Sequence, residues 1–167
     1  KKMMLDKQMG KPVKKVPKNP QEDYESTIYY DDDGDYAFPA GGFKTAMVDA
    51  CRLIDNIAMV FARQVFHVDG EWVRIYGEPR MREDMVRIGP GTADIRYRAG
   101  FKEWSAILSI TFLADQITAE SIVNIVNLAG LGGIGDWRPS APKSKSGTFG
   151  RFEVDVTKFN QLNEEAA

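Results

Sequence analysis

The clearest chemical pattern in the sequence is a glycine-rich, basic segment, Gly130–Arg151. Three of its glycines have the G-x-G-x-x-G spacing of dinucleotide-binding proteins, namely Gly130, Gly132 and Gly135. That fingerprint requires a strand before the glycines and a helix after them, whereas here the sequence predicts a helix before and a strand after. The phosphate-binding P-loop does not fit either, because Asp136-Trp137 stands where Lys and Ser or Thr belong. We therefore expect neither nucleotide motif.

What remains is a loop suited to holding a polymer backbone or a neighbouring subunit closely. Glycine lets two backbones approach each other and exposes their N–H groups. Trp137 offers a face on which a base can stack. Four cations attract phosphate: Arg138, Lys143, Lys145 and Arg151. We predict nucleic-acid contact here, with a mobile surface loop and a protein–protein contact as the alternatives.

A second basic surface is predicted from six arginines at positions 74, 80, 82, 87, 96 and 98. Aromatic residues are interleaved with them, as in the stacking platforms of charged grooves. The alternative is an ion-paired sheet face, because the acidic residues Glu71, Glu78, Glu83 and Asp94 are close in sequence. Lys44, early in the first predicted helix, is a further candidate. The residues predicted to contact nucleic acid are Lys44, Arg96, Arg98, Gly132, Gly133, Gly135, Trp137, Arg138, Lys143, Lys145 and Arg151.

Catalytic and metal-binding patterns are weaker. His67 is the only histidine, so acid–base catalysis by a histidine must use it, yet no nucleophile is recognisably paired with it. We expect a structural or exposed histidine. The acidic run Asp31–Asp35 suits a divalent cation, but a solvated hairpin tip at Asp33-Gly34 is the favoured interpretation. Cys51 lies on an apolar helix face and is expected in the core. We predict no cofactor and no metal.

The bulk composition is that of one globular domain. The chain has 167 residues, of which 43% are hydrophobic and 28% charged, with a net charge of −2. No apolar run is long enough for a membrane helix, and no secretory signal is recognisable. The single cysteine excludes an intrachain disulfide framework and suits the cytoplasm of a bacterial or phage-infected cell. Because the chain begins at Lys1 rather than methionine, a first strand could lie upstream.

The elements that position these residues follow from hydrophobic periodicity. We predict a lysine-rich arm over 1–23, extended or disordered when alone, then one domain over 24–157 and a polar tail over 158–167. The domain is predicted to contain two helices, one after Phe38-Pro39 with Phe43, Met47 and Cys51 on its apolar face, the other from Thr118 to a cap at Gly130. The predicted strands are Ser26–Tyr30, Glu71–Tyr76, Met85–Ile88, Asp94–Arg98, Trp104–Phe112 and Phe149–Val156.

This order predicts an α+β fold with a ferredoxin-like, or RNA-recognition-motif-like, core. The glycine-rich loop between second helix and last strand resembles that of the RAMP superfamily (repeat-associated mysterious proteins) of CRISPR systems. The segment Phe38–Lys44 is similar to the Pro-Gly-containing start of the first helix in backbone subunits of CRISPR effector complexes. The resemblance covers about residues 28–156. It implies binding of RNA or single-stranded DNA within a repeating, head-to-tail protein assembly.

We therefore expect a non-enzymatic protein that binds single-stranded nucleic acid, RNA in preference to DNA. Its expected partners are copies of itself and other subunits of a nucleoprotein complex. The first alternative is a phage structural or assembly protein, whose arm and loop contact neighbouring protomers. The second is a RAMP-like endoribonuclease. The resemblance implies a target-cleaving aspartate before the first helix, and His67 is the other catalytic candidate.

Overall fold

A computed structural model describes residues 17–55, 57–89, 91–142 and 146–165. The first 16 residues of the predicted arm and the predicted phosphate contacts Lys143 and Lys145 lie outside these ranges. The chain forms two compact units. We call Lys1–Ile28 with Gly77–Trp104 the hairpin unit, and Tyr29–Tyr76 with Ser105–Ala167 the body.

Helices and strands alternate irregularly along the chain. The helices are α1 (Pro20–Glu25), α2 (Ala40–Ala50, followed by a 3-10 turn at Cys51–Leu53), α3 (Met59–Val65), α4 (Ala119–Gly132) and α5 (Val156–Glu165). The strands are β1 (Tyr29–Tyr30), β2 (Tyr36–Pro39), β3 (Phe66–Val68), β4 (Trp72–Gly89), β5 (Thr92–Ala106) and β6 (Ile110–Phe112). The structure therefore confirms an α+β fold.

The strands form two antiparallel groups. Four strands lie in the order β1-β2-β4-β5, and β3 pairs separately with β6. In the body β2 pairs antiparallel with the start of β4, with Phe38 opposite Val73 and Pro39 opposite Trp72. The predicted hairpin at Asp33-Gly34 is confirmed, because β1 and β2 pair on either side of that turn.

The core of the body lies between α2 and α4. Phe43 and Met47 are buried on α2, Cys51 is buried at the start of the 3-10 turn that follows it, and Ile125 is buried on α4, as their helical spacing predicts. Thr118 caps α4, where its hydroxyl accepts a hydrogen bond from the Ser121 amide at 3.2 Å. Burial raises the pKa of the Cys51 thiol, which agrees with its predicted place in the core.

Two helices occupy segments for which the sequence suggested other structure. Asn19 caps α1 by accepting a hydrogen bond from the Gln21 amide at 3.1 Å, so residues within the predicted arm are helical. In α3 the buried residues Ala62 and Val65 lie one turn apart. This helix is not among the two that the sequence predicts, because burial at helical spacing here outweighs the strand propensity of valine and phenylalanine.

The end of the chain differs most from expectation. The predicted strand Phe149–Val156 is wrong: residues 151–155 are irregular, and α5 begins at Val156 and continues through most of the predicted polar tail, 158–167. The backbone of this segment bonds to α4 instead of to a strand. The Phe152 amide donates to the Gly130 carbonyl at 3.3 Å, and the Val154 amide donates to the Asn127 side chain at 2.8 Å. A ferredoxin-like core is not confirmed.

Candidate nucleic-acid interface

The glycine-rich loop begins where α4 ends. The predicted cap at Gly130 was three residues too early, because α4 continues to Gly132 and Gly133 takes the capping position with φ of 70°. The Gly133 amide donates to the Ala129 carbonyl at 2.8 Å, and the Ser140 amide donates to the Gly132 carbonyl at 3.0 Å. Backbone hydrogen bonds therefore hold the end of α4 and the first part of the loop, Gly133–Ser140, in place.

The loop closes on its own backbone. The Ile134 amide donates to the Gly150 carbonyl at 3.0 Å, and the Phe149 amide donates to the Trp137 carbonyl at 3.1 Å. Gly150 has φ of 68°, and a Cβ at this position would overlap the Ile134 carbonyl oxygen. The close backbone approach that the glycines allow is thus made inside the chain. Gly135, by contrast, has φ of 74° and open space where a Cβ would stand.

Two aromatic rings on this loop stack on each other. The ring centroids of Trp137 and Phe149 are 6.2 Å apart, and the ring planes are inclined by 21°. Trp137 is 37% exposed and Phe149 is 42% exposed. Trp137 also has φ of 58°, a backbone conformation that non-glycine residues seldom adopt. The loop therefore presents this aromatic pair at its surface with Trp137 in a strained backbone conformation, which costs free energy.

The predicted cations of the loop have different surroundings. Arg138 donates from Nη1 to the Gly135 carbonyl at 2.9 Å and from Nε to the Ser140 hydroxyl at 3.0 Å, so it braces the loop. Arg151 is exposed. Across Gly130–Arg151 the sequence has four cations and one carboxylate, Asp136, which makes a net charge of +3.

Lys44, the predicted phosphate contact on α2, lies beside the only histidine. Lys44 Nζ is 2.7 Å from Nδ1 of His67, which is exposed on β3. Of the two expected placements, structural or exposed, the structure shows the exposed one. Lys44 directly follows Phe43, whose ring centroid is 5.8 Å from that of Phe152 at the end of the glycine-rich loop.

The predicted arginine surface is largely ion-paired. In the hairpin unit the guanidinium groups of Arg82 and Arg98 lie 2.9 and 3.4 Å from the same carboxylate oxygen of Asp84. Arg96 lies 3.8 Å from Asp94 and is about half exposed, which makes it more accessible than Arg98. In the body Arg74 pairs with Asp35 at 2.8 Å. These pairs match the alternative of an ion-paired face, and phosphate contact by Arg96 and Arg98 stays a prediction.

The acidic run Asp31–Asp35 forms a turn. Oδ1 of Asp31 accepts hydrogen bonds from the amides of Asp33 and Asp35, at 3.1 and 2.8 Å. Among the residues that the structure describes, no group of three or more His, Cys, Asp or Glu side chains is placed to hold a metal ion. Within the same residues no helix combines the length and the apolarity that crossing a bilayer requires.

Two features of the body were not predicted from the sequence. Phe149 was assigned to a strand, although its separation from Trp137 by a Gly- and Pro-containing stretch allows the two rings to meet. The polar side chains of Asp69, Ser109 and Thr111 also converge. No sequence signal predicts this contact, because Asp69 is about 40 residues away from the other two along the chain. Comparison of the chain with models of known families, with curated proteins and with solved structures gives no match.

Proposed function

We propose that this chain is a non-enzymatic protein that binds single-stranded nucleic acid through its glycine-rich loop. The observation that carries the proposal is the exposed stack of Trp137 on Phe149, within a segment of net charge +3. A base adds to such a stack through its own face, and stacking on an aromatic residue stabilises binding by about 1–3 kcal/mol per base. The surrounding cations attract the phosphates between successive bases.

The self-closed backbone of the loop favours binding without a large ordering cost. Its hydrogen bonds from Ile134 to Gly150 and from Phe149 to Trp137 hold the stack in place before a ligand arrives. A preorganised site loses less conformational entropy on binding than a loop that must order itself. Arg138 contributes by bracing the turn, and Arg151 is exposed for contact with phosphate.

The proposal extends to architecture and partners. We take the chain to be a RAMP-like protein with a ferredoxin-like core, which acts in the cytoplasm and assembles with copies of itself along the strand. The position of the glycine-rich loop directly after the second long helix supports this. A head-to-tail assembly would place one aromatic stack at each repeat of the polymer.

Fluorescence anisotropy with a labelled 12-nucleotide RNA of mixed sequence tests the proposal. We expect binding that weakens steeply between 50 and 200 mM salt, in line with about three phosphate contacts. Trp137→Ala is expected to weaken binding about tenfold or more. Phe61→Ala is the matched control, because Phe61 is an aromatic residue of the body with a similar exposure of 36%.

A charge-reversal pair separates phosphate contact from general electrostatics. Arg151→Glu is expected to weaken binding and to reduce the salt dependence, whereas Lys158→Glu on α5 makes the same charge change at another exposed site. Light scattering with and without the strand reports assembly. Oligomers that form without nucleic acid and bind no strand would reject the proposal in favour of a structural assembly protein.

A further inference from the structure

Five polar side chains of the body meet beside the two-stranded β3–β6 sheet. We call Lys44, His67, Asp69, Ser109 and Thr111 the β3–β6 polar cluster. In β3 the flanking residues Phe66 and Val68 are buried and His67 is exposed, because alternate residues of a strand point to opposite faces. His67 lies directly opposite Thr111 of β6, which is also exposed. The cluster therefore occupies the outer face of this sheet.

One half of the cluster donates hydrogen bonds. The ammonium of Lys44 has no lone pair, so at 2.7 Å it must donate to Nδ1 of His67. A ring whose Nδ1 accepts a hydrogen bond carries its proton on Nε2 when neutral. Lys44 retains two further N–H groups and His67 presents an Nε2–H, which together suit the oxygens of a phosphate group.

The other half accepts hydrogen bonds. Oδ2 of Asp69 accepts from the hydroxyls of Ser109 and Thr111, each at 3.0 Å, and this fixes the orientation of the carboxylate. Within the described part of the chain no donor is bonded to Oδ1 of Asp69. Since Asp69 is exposed, that oxygen is accessible to a hydroxyl of a ligand. His67 and Asp69 are two residues apart along the chain, which in an extended backbone corresponds to about 7 Å between the two Cα atoms.

We propose that the β3–β6 polar cluster binds one ribose-phosphate unit and selects RNA over DNA. The phosphate accepts hydrogen bonds from Lys44 and His67, and the ribose 2′-hydroxyl donates one to Asp69. The carboxylate repels the nearby phosphate with either strand. DNA lacks the 2′-hydroxyl, so with DNA no hydrogen bond to Asp69 offsets this repulsion. This inference rests on the proposed function, because it names the kind of strand that the protein takes.

The arrangement of charge supports a ligand with both a phosphate and a hydroxyl. A bare anion would be attracted by Lys44 but repelled by Asp69 at the other end of the cluster. A bare cation would be attracted by Asp69 but repelled by Lys44. A sugar-phosphate unit is an acceptor at one end and a donor at the other, so it matches both halves.

The single histidine makes the cluster directly observable by NMR. We expect long-range proton–nitrogen spectra of the free protein to show His67 protonated at Nε2, and the opposite tautomer would overturn the assignment of donors. Addition of a 12-nucleotide RNA is expected to shift the His67 signals, while DNA of the same sequence shifts them less at equal concentration. If a ribonucleotide and a deoxyribonucleotide monophosphate shift them equally, the cluster does not recognise the ribose and the inference is wrong.

Affinity measurements with Asp69→Asn test the selection of ribose. The amide can still accept from Ser109 and Thr111, but it can then present only N–H groups to the 2′-hydroxyl position. The unsubstituted protein is expected to prefer RNA about tenfold, the factor that one hydrogen bond to a charged group supplies. Asp69→Asn is expected to reduce the preference to about twofold or less, chiefly by weakening RNA binding. Asp115→Asn, at another exposed carboxylate of the body, is the control and should keep the preference.

The outcomes separate this inference from the function on which it rests. Equal, salt-dependent affinity for RNA and DNA that Asp69→Asn leaves unchanged would overturn the ribose site and leave nucleic-acid binding intact. Absence of binding to either strand would overturn both. A purely structural cluster would lower the melting temperature in Asp69→Asn without changing the ratio of the two affinities, and that result would also reject the inference.

Discussion

The body and the hairpin unit are stabilised by different forces. All the fully buried apolar side chains that the structure describes belong to the body, among them Phe43, Met47 and Ile125. In the described part of the hairpin unit the one fully buried side chain is a carboxylate, Asp84, at 3% exposure. The body thus depends on the hydrophobic effect, whereas the hairpin unit depends on backbone pairing and a few polar contacts.

The polar contacts of the hairpin unit tie its N-terminal segment to its strands. Lys18 bonds to the Asp94 carboxylate and to the Ile95 carbonyl, and the Ala99 amide donates to the Thr27 hydroxyl at 2.8 Å. The Tyr24 hydroxyl donates to the Pro79 carbonyl at 3.3 Å. A two-stranded hairpin alone is marginally stable in water, so these contacts are expected to decide whether it stays ordered. The comparison predicts separate responses of the two units to substitution.

The largest effect is expected from Phe43→Ala in the body. Phe43 is 1% exposed and contacts the rings of Phe38 and Phe152, so its truncation leaves a cavity. We expect a loss of about 3–5 kcal/mol in the free energy of unfolding, measured by urea denaturation. Phe61→Ala, at 36% exposure, removes the same group from a surface site and should cost less than about 1 kcal/mol. Similar losses in both variants would contradict a core at Phe43.

A smaller, local effect is expected from Asp84→Asn in the hairpin unit. The substitution removes the charge that Arg82 and Arg98 share, in a site where the carboxylate is almost fully buried. We expect a loss of about 2 kcal/mol, read as faster amide hydrogen exchange in the hairpin unit while α4 stays protected. Glu83→Gln, at the exposed neighbouring position, is the control. Uniform loss of protection in both units would show that they unfold together.

The smallest effect is expected at the surface pair of Lys18 and Asp94. The hydrogen bond from Lys18, with the nearby charges of Lys18 and Arg96, lowers the pKa of the Asp94 carboxyl. Because the pKa is lower in the folded state, the ionised carboxyl stabilises the fold at any pH above the ordinary pKa of an aspartate, about 4. This stabilisation is lost as the pH falls through the folded-state pKa. Lys18→Ala should therefore reduce the acid sensitivity of hydrogen exchange in the hairpin unit. An unchanged acid profile would show that the pair contributes nothing.

Much of the body could be predicted because its helices bury one face. The spacing of Phe43, Met47 and Cys51 predicts α2, and the hydroxyl of Thr118 predicts the start of α4. The strand expected at Phe149–Val156 failed for a physical reason. Its alternating pattern was correct, since Phe152 and Val154 are partly buried and Glu153 is exposed, but alternation does not say which element supplies the backbone partners. In the structure that element is α4.

The candidate sites were predictable to different degrees. The aromatic and basic residues of the glycine-rich loop are contiguous in sequence, so the segment itself could be singled out. Its closure through Gly150 and the stacking of Phe149 on Trp137 could not, because they depend on how the chain returns after Pro139. The β3–β6 polar cluster could not be predicted, since it joins residues of α2, β3 and β6 with Asp69 and Ser109, which directly flank the two strands.

The sequence by itself determined the α+β class, the two long helices, the hairpin turn at Asp33-Gly34 and the basic character of the loop, because these depend on local spacing and composition. The tertiary structure alone decided that Gly130, Gly133 and Gly150 pack against their own chain and that Arg82 and Arg98 converge on Asp84. It also decided that His67 meets Lys44. Such contacts depend on the relative position of distant segments, which strand pairing and core packing set together.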